Sequence, residues 1–127
     1  MPYRRKAGPL MQFTVMGGQS DPQYVVEDDR FSALFMLGAD DRAEDVENVD
    51  VELRLPDGTR WSATFMTLRE IAEVMDRWKQ TGECAGGAFF QCPDLVIVPT
   101  GGVDAMMASL RGIMDAGGPE GILPELD

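Results

Sequence analysis

Apolar and polar residues alternate most strictly between residues 49 and 66. A period of two is typical of a strand that buries one face, because successive side chains point to opposite sides of a sheet. The alternation is interrupted once, by Pro56-Asp57-Gly58-Thr59, where proline pre-sets φ and glycine accepts a positive φ. The pattern therefore predicts a β-hairpin over residues 49–66. Its apolar positions are Val49, Val51, Leu53, Leu55, Trp61, Ala63 and Phe65.

Two other stretches have the spacing of an amphipathic helix. In the first, Thr67 and Glu70 have the spacing of an N-terminal capping box, and Gly82 stands where a helix-ending glycine is expected. The second follows Thr100-Gly101-Gly102, with Thr100 as the expected N-cap, and ends at Gly117. The apolar stripes are Leu68, Ile71, Met75 and Trp78 in the first helix, and Val103, Met106, Met107, Leu110, Ile113 and Met114 in the second.

Four shorter apolar runs predict further strands, at residues 11–15, 24–26, 31–37 and 95–98. The run Leu95–Val98 is apolar on both faces, which is typical of a central strand, and Gly86-Gly87 predicts a turn before it. This order favours an α+β fold, a mostly antiparallel sheet of about five to six strands packed against two helices. We expect a flexible basic N-terminal arm at residues 1–9 and a single domain at residues 10–127, whose last residues are free.

The composition is that of a folded domain with a hydrophobic core. The chain has 127 residues, of which 44% are hydrophobic, enough for one domain without disulfide bonds. No apolar stretch approaches the roughly 18 residues that a transmembrane helix needs. The basic start is not followed by a clean signal-peptide pattern. A cytoplasmic location without membrane binding is therefore expected.

The charge is strongly acidic and unevenly distributed. Lys and Arg total 11 and Asp and Glu total 22, so the net charge is −11. Such a chain repels nucleic acid and attracts basic surfaces. Seven acids stand against Arg42 between residues 40 and 52, namely Asp40, Asp41, Glu44, Asp45, Glu47, Asp50 and Glu52. This stretch is interpreted as a binding surface for a basic protein, with Trp61 as a candidate apolar anchor; a solvated loop is the alternative. It lacks the glycine and closing glutamate of a calcium-binding loop, so no metal site is predicted.

Several kinds of catalysis are excluded. The chain has no histidine, which removes the usual base of serine and cysteine hydrolases. Cys84 and Cys92 stand beside Glu83 and Asp94, and neighbouring acids raise a thiol pKa, so both are expected to be unreactive free thiols. We predict no catalytic residue and no cofactor. The alternative is a small cytosolic ligand-binding or enzyme domain with an anion site at Thr100–Gly102, where helix N-terminal amides would bind the anion.

One part of the chain resembles a known group of proteins. It runs from Trp61-Ser62-Ala63-Thr64-Phe65 through Thr81-Gly82-Glu83 and Gly86-Gly87-Ala88-Phe89-Phe90 to Asp94-Leu95-Val96-Ile97-Val98. This stretch resembles small bacterial immunity proteins that accompany polymorphic or contact-dependent toxins. The resemblance implies a non-enzymatic inhibitor that covers the active site of a cognate toxin, such as one that acts on nucleic acid. A homodimeric adaptor that pairs through a sheet edge is a further alternative.

Overall fold

The computed structural model describes residues 11–13 and 22–127. The predicted arm, residues 1–9, lies outside the described residues. The strands are β1 Met11–Phe13, β2 Pro22–Glu27, β3 Ser32–Phe35, β4 Asn48–Arg54, β5 Arg60–Thr67, β6 Leu95–Val98 and β7 Glu125–Leu126. The helices are α1 Leu68–Thr81, α2 Glu83–Gly87 and α3 Val103–Asp115.

All strands of the described residues belong to one sheet, in the order β1-β2-β3-β4-β5-β6. Neighbours are antiparallel from β1 to β5, and β6 runs parallel to β5. The short β7 pairs antiparallel with the first residues of β5, on the edge that β6 occupies farther along. The prediction of a single α+β domain with a mostly antiparallel sheet is confirmed. The prediction of free last residues is wrong, because Glu125 and Leu126 complete the edge of β5.

The predicted hairpin is β4 and β5 at the centre of the sheet. Val49 pairs with Phe65 and Leu53 with Trp61, so that the apolar residues of both strands share one face. These side chains are at most 8% exposed. They pack in one cluster with Met106 and other residues of α3. The charged residues between them point to the opposite face, which we call the outer face.

The sequence predicts both ends of α1 correctly. The hydroxyl of Thr67 accepts a hydrogen bond from the amide of Glu70, and Gly82 ends the helix with φ of 87°. At α3 the apolar stripe is confirmed, but the predicted cap is wrong. The N-cap is Gly102, at φ of 102° and without a side-chain hydrogen bond, and Thr100 is exposed.

Two predictions between α1 and α3 are also wrong. Within the described sheet, strand β6 pairs with β5 alone and is therefore an edge strand. Val98 is the one residue of β6 that is buried. The run is apolar on both faces, yet Ile97 on the outer face is 49% exposed. The predicted Gly-Gly turn belongs to α2, where Cys84 and Ala85 adopt left-handed conformations (φ of 47° and 56°). Local sequence does not indicate this, because non-glycine residues rarely visit that region.

Candidate functional site: the acidic segment and its end of the sheet

The acidic segment is residues 38–47, the larger part of the connection between β3 and β4. Its chain reversal is held by local hydrogen bonds. The amide of Gly38 donates to the carboxylate of Asp41 at 2.8 Å, and the amide of Asp41 donates to the carbonyl of Gly38 at 3.1 Å. Farther on, the carbonyl of Arg42 accepts from the amides of Asp45 and Val46. The segment is therefore an ordered turn structure, anchored by the buried side chain of Val46.

The start of α3 packs directly against this segment. Gly102 donates its amide hydrogen to the carbonyl of Val46, and Val103 donates to that of Ala43, each at 2.8 Å. The contact is so close that a Cβ on Gly101 would lie 2.7 Å from the carbonyl oxygen of Asp45. Two amides that an anion would need are thus occupied by backbone carbonyls. The predicted anion site at Thr100–Gly102 receives no support from this arrangement.

Four of the seven predicted acids lie exposed on the acidic segment. They are Asp40, Asp41, Glu44 and Asp45. Arg42 lies 3.5 Å from Glu44 and 3.7 Å from Asp45, and all three side chains are more than two-thirds exposed. Ion pairs at such exposure are weak, because water screens them. The segment therefore presents net negative charge to solvent.

Glu47 stands apart from these four, because it ties the acidic segment to α1. One oxygen of its carboxylate accepts the hydroxyl hydrogen of Thr67 at 2.6 Å, and the guanidinium of Arg69 donates to both oxygens. The amide of Thr67 also donates to the Glu47 carbonyl. Thr67 thus accepts from Glu70 while donating to Glu47, which links the helix cap to the segment. Glu47 has a structural role that its place in an acidic run does not reveal.

The remaining predicted site residues lie elsewhere. Asp50 is exposed on the outer face, whereas Glu52 is 7% exposed and pairs with Arg54 at 2.6 Å and Arg60 at 3.2 Å. Trp61 is 8% exposed and belongs to the core cluster, with its indole N–H donated to Thr59. The acidic segment thus carries four exposed acids, Asp40, Asp41, Glu44 and Asp45, together with the paired Glu47. Asp50, Glu52 and Trp61 lie outside it.

Exposed apolar residues collect at the same end of the sheet. Strands β3, β5 and β6 finish there and β4 begins there, as their pairing requires. Met36 follows β3, Leu68 follows β5, and Ile97 is the penultimate residue of β6. Their exposed fractions are 47%, 66% and 49%. This end of the sheet therefore combines exposed apolar side chains with the acidic segment, which sequence reasoning missed because the three residues are far apart in the chain.

A second polar cluster lies where β6 and β7 meet along β5. The carboxylate of Asp94 accepts hydrogen bonds from Ser62, from Thr64 at 2.9 Å and from Cys92 at 3.0 Å. Burial raises the pKa of Asp94, but these three donors outweigh it, so the net pKa is lowered. Burial and the nearby Asp94 raise the pKa of Cys92. Cys84 and Cys92 are not bridged.

Across residues 11–13 and 22–127, no group of three or more cysteine, aspartate or glutamate side chains is placed to share a metal ion. In the same ranges, no helix combines the length and apolar character needed to cross a membrane. Comparison of the chain with protein-family models, with curated proteins and with solved structures gives no match.

Proposed function

We propose that this chain is a non-enzymatic binding protein of the immunity type, which inhibits a cognate toxin by covering a basic active site. The observation that supports the proposal most is the acidic segment. Its exposed carboxylates stand on a backbone that hydrogen bonds hold to α3 and to α1. Preorganised charge attracts a basic partner and costs little ordering on binding.

The exposed apolar residues beside the segment support the same surface. Charge steers a partner and accelerates association, whereas affinity comes mainly from desolvated apolar contacts near the centre of an interface. Met36, Leu68 and Ile97 offer such contacts at the same end of the sheet. A toxin that binds a polyanionic substrate would present the complementary basic cleft.

Co-expression tests the proposal. The chain is produced together with the product of each neighbouring gene, and growth of the host is measured. We expect one product to be toxic alone and harmless beside the chain. If no neighbouring product is neutralised or bound, the proposed function is wrong.

A charge-reversal variant connects that result to the acidic segment. We expect Asp40→Lys, Glu44→Lys and Asp45→Lys together to slow association with the toxin on the order of tenfold or more at low salt. Asp41 is left unchanged, because it holds the amide of Gly38. The matched control reverses three exposed acids elsewhere, Glu73, Asp76 and Glu120, and alters net charge equally. Equal slowing by both variants would contradict a local acidic surface.

A further inference from the structure

We propose that the free edge of β6 receives an extended segment of the partner, whose basic residues contact the acidic segment. This inference rests on the proposed function and names the way in which the partner binds. The partner segment would add a strand to the sheet beside β6. Main-chain hydrogen bonds would then contribute to affinity, and the acidic segment would select the partner's charge.

The hydrogen-bond pattern of β6 leaves peptide groups available on this edge. A parallel strand uses alternate residues to pair with its neighbour. The amide of Thr64 donates to the carbonyl of Asp94 at 2.8 Å, so residues 94, 96 and 98 face β5. Leu95 and Ile97 face away. The amide of Leu95 donates to Cys92, but the N–H and C=O of Ile97 have no hydrogen-bond partner among the described residues.

The edge of β6 carries no charged side chain, which is one of the features that usually prevent strand addition. Exposed edges are protected by charged side chains, proline, bulges, short strands or covering loops, and β6 is short and lies between Pro93 and Pro99. Residues 95–103 contain no charged residue, and Ile97 is half-exposed. By contrast, β7 covers the edge of β5 at Arg60 and Trp61. Among the residues that the structure describes, the sheet is therefore closed along the start of β5 and open along β6.

The surrounding charge indicates a basic partner. The backbone of Gly101 and Gly102, just beyond β6, contacts the backbone of Glu44 and Asp45, so the acidic segment lies at the Val98 end of the edge. A second copy of this chain would bring the same acids and a net charge of −11 to the contact. Antiparallel pairing is the more stable arrangement. An antiparallel segment would therefore carry its basic residues N-terminal to its extended part.

Amide hydrogen exchange of the unaltered full chain tests this geometry. The probe is a capped peptide of three lysines followed by alternating threonine and valine, added at low salt. We expect exchange at the Ile97 amide to slow at least tenfold at saturating peptide, with no change at the Val96 amide, which already faces β5. The reversed peptide, with its lysines last, should protect Ile97 less. Peptide binding without protection of Ile97 would overturn the inference.

A variant supplies an independent readout. Ile97→Pro removes the outward N–H while edge strands tolerate proline, so we expect at least tenfold weaker peptide binding. Unchanged binding by a folded Ile97→Pro chain would overturn the inference, as would protection of Ile97 by added chain alone, which indicates self-pairing. If the edge inference fails while reversal of Asp40, Glu44 and Asp45 still impairs toxin neutralisation, the proposed function stands.

Discussion

The amide of Gly102 and the carbonyl of Val46 are joined by a 2.8 Å hydrogen bond, so that the acidic segment and the first turn of α3 form one unit. Backbone hydrogen bonds between this loop and the start of the helix hold the backbone from which the exposed carboxylates project. The same contact removes amides that could otherwise bind an anion. The shape of the site consequently depends on Gly101 and Gly102.

Gly102→Ala should destabilise the fold by about 2–3 kcal/mol, because the strained backbone conformation and the close contact of the new Cβ each contribute to the loss. Gly102 has φ of 102°, and a Cβ there would lie 2.5 Å from the carbonyl oxygen of Glu44. Gly112 in α3 is the control, since nothing lies within 4 Å of its Cβ position. Gly112→Ala should stabilise by about 0.5–1 kcal/mol. Urea unfolding measures both, and effects of the same sign would contradict the packing.

Thr67→Ala should lower the free energy of unfolding by about 1–2 kcal/mol. The substitution removes both the cap on the amide of Glu70 and the hydroxyl that donates to Glu47. Thr67→Ser keeps both hydrogen bonds and should recover most of the loss. If serine destabilises as much as alanine, the methyl group and not the hydroxyl would account for the stability.

Glu52→Ala should lower the free energy of unfolding by about 1–2 kcal/mol. The expected loss of unfolding free energy is moderate because Arg54 and Arg60 are about half-exposed, so water can solvate them once Glu52 is removed. Asp50→Ala, on the same face of the same strand but exposed, should change stability by less than about 0.5 kcal/mol. Thermal or urea unfolding distinguishes the two, and equal effects would show that burial of Glu52 is unimportant.

Asp94 should contribute to stability near neutral pH and lose that contribution in acid. Its folded pKa is lowered from an ordinary value of 3.8. The folded state therefore binds fewer protons than the unfolded state, and stability falls as pH drops through the folded pKa. Asp94→Asn should show a weaker loss of unfolding free energy than the unaltered chain when pH is lowered below about 4. Identical pH profiles would contradict a paired carboxylate.

The same contact makes a prediction for Cys92. Burial raises the pKa of its thiol, and so does its hydrogen bond to Asp94. Asp94→Asn should therefore increase the rate at which Cys92 reacts with a thiol reagent at mildly alkaline pH, because more thiolate is present. Cys84 serves as the internal control within each chain. A rate at Cys92 that does not change relative to Cys84 would show that Asp94 has no influence on it.

Local patterns predicted the elements whose causes are local. The β4–β5 hairpin depends on alternation and a Pro-Asp-Gly turn, and α1 depends on Thr67 and Gly82, all within a few residues of what they control. The place of β6 could not be predicted in this way. An apolar run has the same composition in the middle of a sheet and at its edge, and only the strand order, a non-local property, distinguishes the two.

The candidate site, too, could be predicted only in part from local sequence patterns. A run of acids suggested one surface, but strand alternation turns Glu52 to the outer face, where Arg60 from the neighbouring strand pairs with it. Glu47 is likewise paired by Arg69 from α1. The partners lie on other elements, so the sequence of the acidic run cannot show which of its charges remain free. Which of the acids stay exposed is determined by tertiary contacts such as these.

One edge of β5 pairs with both β6 and β7, and this arrangement affects the order in which the sheet is completed during synthesis. During synthesis, β4 and β5 leave the ribosome long before Glu125 and Leu126, which cover the first residues of β5. Until then, the strand partner of Arg60 and Trp61 on this edge has not been synthesised. Pairing of residues so far apart in the chain is entropically slow. An uncovered strand edge can pair with other chains, and pairing with β7 covers the first residues of β5.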